Sequence, residues 1–250
     1  MTDAEEWPPF EPRPDSIAIV DWEEGGAGQV HSWIHETGLH VACFVNAADD
    51  PPEVDIEAAR KAREAKVFDY PTRVSFKGLP LLSAREWPQM LLDHGIKRAL
   101  VMPSDRPRRL ANIRMAETAG IELVSAIHPS VTIMPDAILH ENLILHARAY
   151  VGYRAELYTG VVLNTGAQID HHNVLYECVR VDPGVVTAGN VTIERFAVIH
   201  TGAKIINKMR IGENATVGAG AVIIRDVPPN CTVVGVPGRV IREHEAVEVD

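Results

Sequence analysis

Residues 193–223 read IERFAVIHTGAKIINKMRIGENATVGAGAVI, and the spacing inside that stretch decides the fold. An aliphatic residue returns at every sixth position, as Ile193, Ile199, Ile205, Ile211, Val217 and Ile223. Four residues after each of the first five stands a small or unbranched apolar one: Ala197, Ala203, Met209, Ala215 and Ala221. An α-helix would repeat at about 3.6 residues and a half-buried strand at about 2. A period of six is neither. It suits a solenoid in which each flat face is one short strand and each corner admits only a small inward side chain. Three such faces close one coil, so residues eighteen apart stack.

Working outward, the same register runs back through Thr187, Val181, Leu175, Ile169, Leu163, Leu157, Val151, Leu145, Leu139 and Ile133 to Ile127. Only Thr187 interrupts the aliphatic series. The companion column is interrupted at Asn173. Polar breaks in an apolar column mark either a functional position or a hydrogen-bonded group inside the coil. Burying one aliphatic per rung, at about 1.5–3 kcal/mol each, supports a long and narrow core.

Ahead of Ile127 the pattern changes. Ser16–Val20, His40–Asn46, Arg98–Met102 and Glu122–Ala126 are short apolar runs that read as strands. Gly25, Gly26 and Gly28 follow the first, then a helical stretch from Gln29 to about Glu36. Further helices are expected near Ala84–His94 and Arg106–Ala119, with a loop at 49–54. Strands alternating with helices indicate a small open α/β sheet. His128-Pro129 marks the junction between the halves.

Composition narrows the partners. Twenty-four Lys and Arg against 34 Asp and Glu give a net charge of −10, which argues against duplex nucleic acid or an anionic membrane. A small anionic ligand is still compatible, because backbone amides can hold one. Cys43, Cys178 and Cys231 are odd in number and far apart, which suits reduced thiols better than a disulfide framework. The opening MTDAEEWPPFEPRPD has neither a basic nor an apolar leader segment. No run approaches the roughly 20 apolar residues of a membrane span. These features predict a soluble cytoplasmic protein.

Several segments carry a family resemblance when taken as a set: IHPS (127–130), NTGAQIDHHNV (164–174), PGVVTAGNV (183–191), IGENATVGAGAVIIRDVP (211–228) and VVGVPGRVI (233–241). Over about residues 16–245 the chain resembles the sugar O- and N-acetyltransferases grouped with sialic acid O-acetyltransferases and bacillosamine-pathway N-acetyltransferases. The resemblance implies an N-terminal Rossmann-like α/β domain followed by a left-handed parallel β-helix of hexapeptide rungs, assembled as a homotrimer. The expected boundaries are a disordered tail at 1–15, an acceptor-binding domain at 16–126, the acyltransferase β-helix at 127–228 and a coenzyme-binding loop and tail at 229–250.

Acyl transfer from a thioester needs an acceptor amine or hydroxyl to lose a proton as it attacks, and an imidazole titrates in the right range. His171 stands two residues after inward-facing Ile169, so it should leave the core surface, and the resemblance makes it the general base. Asp170 is placed to orient it, as a third group does in catalytic triads. His172 stands where relatives often carry an acid. Asn164 and Gly189 also match the family pattern, with the Gly189 N–H as oxyanion donor. Gly189 lies eighteen residues after His171, hence stacked on it. The resemblance carries Gly189, Thr201, Ala219, Gly235, Pro237 and Gly238 onto acetyl-CoA, with Arg239 available to a phosphate. Arg180 replaces a histidine common in relatives and is a candidate acceptor-side residue.

Gly25, Gly26 and Asn46 stand at the nucleotide-sugar end of the family site, but Asn46 replaces an Asp common in relatives, and Asp21-Trp22-Glu23-Glu24 precede the glycines and interpose carboxylates that would repel a diphosphate. The leading expectation is therefore acetyl transfer to an amino or hydroxyl group of a sugar or nucleotide-linked sugar, with no metal. Two other classes are open. His128, His140, His146, His171, His172 and His200 allow a metal-dependent β-helix enzyme of the γ-carbonic anhydrase kind, since three imidazoles about an open position make a catalytic zinc site. The carboxylates at Glu23 and Glu24 allow a non-catalytic coenzyme-binding scaffold.

Overall fold

A computed structural model describes residues 12–53, 61, 71–103 and 105–247. The expected disordered tail lies mostly outside the described residues, as does the end of the expected loop at 49–54. Two compact units divide the chain: one holds the residues before Asp105 together with Asn112–Val124, the other Asp105–Ala111 and everything from Ser125 onward.

The first unit is a six-stranded sheet of β1 (Ser16–Val20), β2 (His40–Asn46), β3 (Ser75–Phe76), β4 (Leu79–Ser83), β5 (Arg98–Val101) and β6 (Glu122–Leu123), in spatial order 3-4-2-1-5-6. Among the described residues the pairs β1/β2, β1/β5, β2/β4 and β5/β6 are parallel, and β3/β4 is antiparallel. Buried on both sides, β1 and β2 are almost wholly apolar in their interiors, as strands sandwiched in an α/β unit must be. Among the described residues the α-helices are α1 (Glu24–Ile34), α2 (Trp87–Asp93) and α3 (Arg106–Ala119), of which α3 begins in the second unit. Trp87 is fully buried and donates its indole N–H to Asn112 Oδ1 at 3.0 Å, which satisfies both polar groups.

Two differences from the sequence reading fall here. Helix α1 begins at Glu24, so Gly25, Gly26 and Gly28 lie within its first turns. Glycine's poor helix propensity argued for a loop, but the unit buries Ala27 and Val30 completely and tertiary packing prevails. The hairpin Ser75–Ser83 was not anticipated; Lys77 and Gly78, both at positive φ, make its turn.

In the second unit every strand from Ala126 to Ile223 is two residues long, and its second residue is a member of the six-residue series. The strands stack in three parallel ladders, which are the faces of a prism. The first face runs through Ile144–Leu145, Val162–Leu163 and Arg180–Val181, the second through Tyr150–Val151 and Gln168–Ile169, the third through Glu156–Leu157 and Val174–Leu175. Ladder partners are eighteen residues apart, as in Ile144↔Val162 and Leu145↔Leu163. The inward column and its small companions form one continuous core, in which Leu163, Ile169, Leu175, Val181 and Ile193 are fully buried. These ladders make the parallel-strand repeat of a three-sided β-helix.

Each corner needs one residue in the left-handed region, and it recurs with the same period. Asp136, Arg154, His172, Asn190 and Lys208 at one corner have φ between 55° and 63°. Side chains other than glycine adopt this conformation at a cost of about 1–2 kcal/mol each. Regular backbone bonds between coils, such as Asn190 N–H to the His171 carbonyl at 2.9 Å, offset that cost. After Ile223 the chain forms the strand Cys231–Val234, which extends the first face, and turns back antiparallel through Arg239–Glu243.

Candidate active site

The corner after the second face carries His171. Ile169 points into the core, fully buried, and the chain then leaves the strand through Asp170, His171 and the left-handed His172. Directly above, one coil later, sits Gly189. The His171 ring lies so close over its α-carbon that a methyl group there would collide with Cε1 and Nε2 and come 2.8 Å from Nδ1. The stacking expected from the eighteen-residue offset is therefore direct ring-on-backbone contact. Among the described residues no acceptor is paired with the Gly189 N–H, whereas its carbonyl accepts from Lys208 N–H at 3.1 Å.

The surroundings of the imidazole assign roles that the sequence reading left undivided. Asp170 Oδ1 accepts the backbone N–H of His171 at 2.7 Å. Beside the ring itself stands His172, whose Nδ1 lies 3.0 Å from Nδ1 of His171. The two rings meet edge to face, and Tyr153, one coil below, packs edge-on against His172 with centroids 5.6 Å apart. His172, noted in the sequence as a departure from the family pattern and as one of several histidines, is thus the ring neighbour of His171. Its left-handed backbone position, every sixth residue, was the signal available.

Under the site the two polar interruptions of the core find each other. Asn173 and Thr187 are both buried, and Asn173 Nδ2 donates to Thr187 Oγ1 at 2.6 Å. Asn173 Oδ1 accepts the Val191 N–H at 2.5 Å, and Thr187 Oγ1 accepts the Asp170 N–H at 3.2 Å. Each is a satisfied group inside the coil, and through Asp170 and Val191 they tie together the backbone on both sides of His171 and Gly189.

Asn164 lies elsewhere on the same coil, at the corner after the first face, where its Nδ2 donates to Asp182 Oδ1 at 3.2 Å. Arg180 pairs with the same carboxylate at 3.0 Å. Thr201 and Ala219 are exposed on that corner in the later coils. Gly238 and Arg239 border a cavity of about 250 Å³ with Ile223, Arg225, Val227 and Pro228. A side chain at Gly238 would meet Ile223 Cδ1 and Val233 Cγ1 at 2.8 Å, and the exposed Arg239 donates to the Gly238 carbonyl at 2.8 Å. Gly235 adopts φ 93°, and Pro237 is exposed beside it.

In the first unit, Gly25 has open space around its α-carbon, and Gly26 faces Met102. Asn46 spends its amide on the Asp50 carbonyl at 2.8 Å. Among the described residues no three His, Cys, Asp or Glu side chains converge as a metal-binding group, and no helix is long and apolar enough to cross a membrane.

A three-faced prism of hexapeptide rungs has the architecture of the hexapeptide-repeat acyltransferases. Its solved neighbours are sugar N-acetyltransferases of that kind. The GDP-perosamine N-acetyltransferase of Caulobacter crescentus, solved with CoA and GDP-perosamine, superposes with a TM-score of 0.77 and 26% identity, covering 91% of this chain and 97% of that one. Two further solved forms of that protein carry alanine or asparagine in place of a histidine. The acetyltransferase domain of PglB from Neisseria gonorrhoeae, solved with acetyl coenzyme A, gives a TM-score of 0.72 and 26% identity over 91% of this chain and 99% of that one. The family resemblance read from the sequence thus holds over nearly the whole chain.

The curated proteins it is similar to include serine acetyltransferases. The protein from Synechococcus elongatus is 40% identical over 84 residues, 33% of this chain and 34% of its own length. That from Mycobacterium tuberculosis is 31% identical over 109 residues, 43% of this chain and 46% of its own. The chain spans about a third to a half of the length of these curated relatives. No protein-family model matches.

Proposed function

We propose that this chain transfers an acetyl group from acetyl-CoA to an amino or hydroxyl group of a sugar or nucleotide-linked sugar, with His171 as general base. The observation that carries the reading is the His171 ring lying against the Gly189 backbone. It brings a proton acceptor and an uncommitted backbone donor to one point, which is what attack on a thioester requires. With the His171 Nδ1–H given to His172, Nε2 keeps its lone pair and takes the acceptor's proton as the new bond forms. The oxyanion develops toward the Gly189 N–H, and the carbon–sulfur bond then breaks. Asp170 acts through the backbone of His171, while Asn164 and Arg180 contact the donor and acceptor ends.

Two features support a homotrimer with shared sites. Asn164 and His171 stand at opposite corners of one face, seven residues apart. That is on the order of 20 Å for extended chain, so both serve one centre only if it is built across a subunit boundary. The corner bearing His171 also exposes Met134, Tyr153, Ile206 and Ile224, at 36–41% each. Large apolar side chains in line are what a covered edge looks like. The coenzyme then runs along Thr201 and Ala219 to the loop of Gly235, Pro237, Gly238 and Arg239, and the first unit is the Rossmann-like domain that takes the acceptor.

A second acceptor class, the hydroxyl of serine, is favoured by the curated serine acetyltransferase matches. One experiment separates them: mass spectrometry of acetyl-CoA reactions offered pooled nucleotide-linked amino sugars, free amino sugars and serine. A sugar gaining one acetyl group, lost in His171→Ala, supports the proposal. Acetylation of serine alone, or turnover undiminished in His171→Ala, overturns it.

A further inference from the structure

The corner after the first face holds a second imidazole that no step above uses. Asp182 gathers groups from successive coils: Asn164 Nδ2 at 3.2 Å and Arg180 Nε at 3.0 Å on Oδ1, His200 Nδ1 at 2.8 Å and Arg180 Nη2 at 3.3 Å on Oδ2. The carboxylate is 14% exposed and the His200 side chain 37%. An ionised carboxylate only accepts, so it fixes the His200 proton on Nδ1 and turns Nε2 away from the pair. This is the carboxylate–imidazole arrangement that orients acid–base histidines.

Neighbouring imidazoles in the same column differ. His146 is buried, and burial together with the charge of His128 lowers its pKa to about 4, so it is held in the neutral form near neutrality. His128 commits Nδ1 to the Ser130 N–H at 3.1 Å. His200 combines an accessible ring with a carboxylate at its back.

We propose that His200, held by Asp182, is the proton donor to the departing thiolate. The inference rests on the reading that the corner carrying Asn164 and Thr201 lines the thioester. His171 takes the proton of the attacking amine or hydroxyl, the new carbon–nitrogen or carbon–oxygen bond forms and the carbon–sulfur bond breaks. The sulfur takes a proton from Nε2 of protonated His200, which leaves free thiol. One proton gained at His171 and one lost at His200 are restored by exchange with water. His200 is then a second catalytic residue and Asp182 its positioning residue.

The test compares acetyl-CoA with its selenoester analogue, in which selenium replaces sulfur and the leaving group needs no proton. His200→Ala is expected to lower kcat with acetyl-CoA by about 10²- to 10⁴-fold and to leave kcat with the selenoester nearly unchanged. Asp182→Asn should shift the donor ratio in the same sense. His200→Gln serves if His200→Ala does not fold, folding being checked by circular dichroism. Equal losses with both donors, or no loss with acetyl-CoA, would overturn the proposal. His171→Ala is measured alongside and should slow both donors alike. If it slows neither, the base assignment fails, and the donor ratio of the His200 variants still decides the role of His200.

Discussion

Replacing Gly189 by alanine puts one methyl group where the His171 imidazole lies. The added Cβ would stand 2.8 Å from Nδ1 and closer still to Cε1 and Nε2. Ordinary contact between such atoms is about 3.5–4.0 Å, so the ring must retreat by roughly 1 Å or more. It can do so because His171 is exposed and Gly189 is not at a positive φ, which leaves the backbone unstrained by an alanine. A misplacement of about 1 Å costs on the order of 10²-fold in rate, while relief of glycine's unfolded-state entropy contributes about 0.4–1 kcal/mol of stability. Gly189→Ala should thus lose about 100-fold in kcat and keep its melting temperature within a few degrees.

Gly152 is the control. Its added Cβ would meet backbone, 2.5 Å from the Asp170 carbonyl carbon and 2.6 Å from His171 N, and backbone cannot swing aside. Gly152→Ala should cost at least about 1–3 kcal/mol, a drop of roughly 3–10 °C for a chain of this size. The assay is thiol release from acetyl-CoA with the acceptor identified by mass spectrometry, beside thermal melts of both variants. Wild-type kcat in Gly189→Ala would refute the claim that the ring's seat on this glycine matters to the reaction. A melt as depressed as that of Gly152→Ala would show that the coil, not the ring, had absorbed the methyl group.

Asn173→Ala strands the Val191 N–H inside the coil, while the Thr187 hydroxyl keeps Asp170 N–H and the Gln168 carbonyl, and should destabilise by about 1–3 kcal/mol, measured by urea unfolding. A double-mutant cycle with Thr187→Val should be non-additive, because the two side chains share one bond. The folded pKa of His146, about 4, lies below the unfolded value of about 6.5. Folding therefore resists its protonation, and stability should fall as pH drops from about 6.5 toward 4, by up to about 3 kcal/mol. His146→Gln should flatten that slope in melts across the window. Cys43, Cys178 and Cys231 are all buried, and burial pushes the Cys43 thiol up to about 12. Native protein should then show no fast-reacting thiol against a disulfide reagent, with all three titrating in denaturant.

What the sequence made legible and what it hid divide along a physical line. The six-residue spacing located every two-residue strand from Ala126 to Ile223, because each rung must bury one large side chain and the chain cannot slip without exposing all of them. The same register put Gly189 over His171, so that part of the site was readable as arithmetic. In the first unit no repeat imposes register, and local propensity misled at Gly25 and Gly26, where packing of Ala27 and Val30 outweighs the weak helix preference of glycine. The hydrogen bonds were harder still. A column containing Asp182 and His200 reads equally as solvated side chains or as a ligand set, and the 2.8 Å bond between them makes it a dyad. Likewise the motif places both Asp170 and His172 beside His171, and the corner decides which of them meets the ring. The chain emerges from the strand at Asp170 with a carboxylate oxygen within 2.7 Å of the next N–H, then turns left-handed at His172 and brings that ring to His171. Backbone conformation at one corner residue thus selects the partner of the imidazole, and the sequence carries that information only through the period that places the corner.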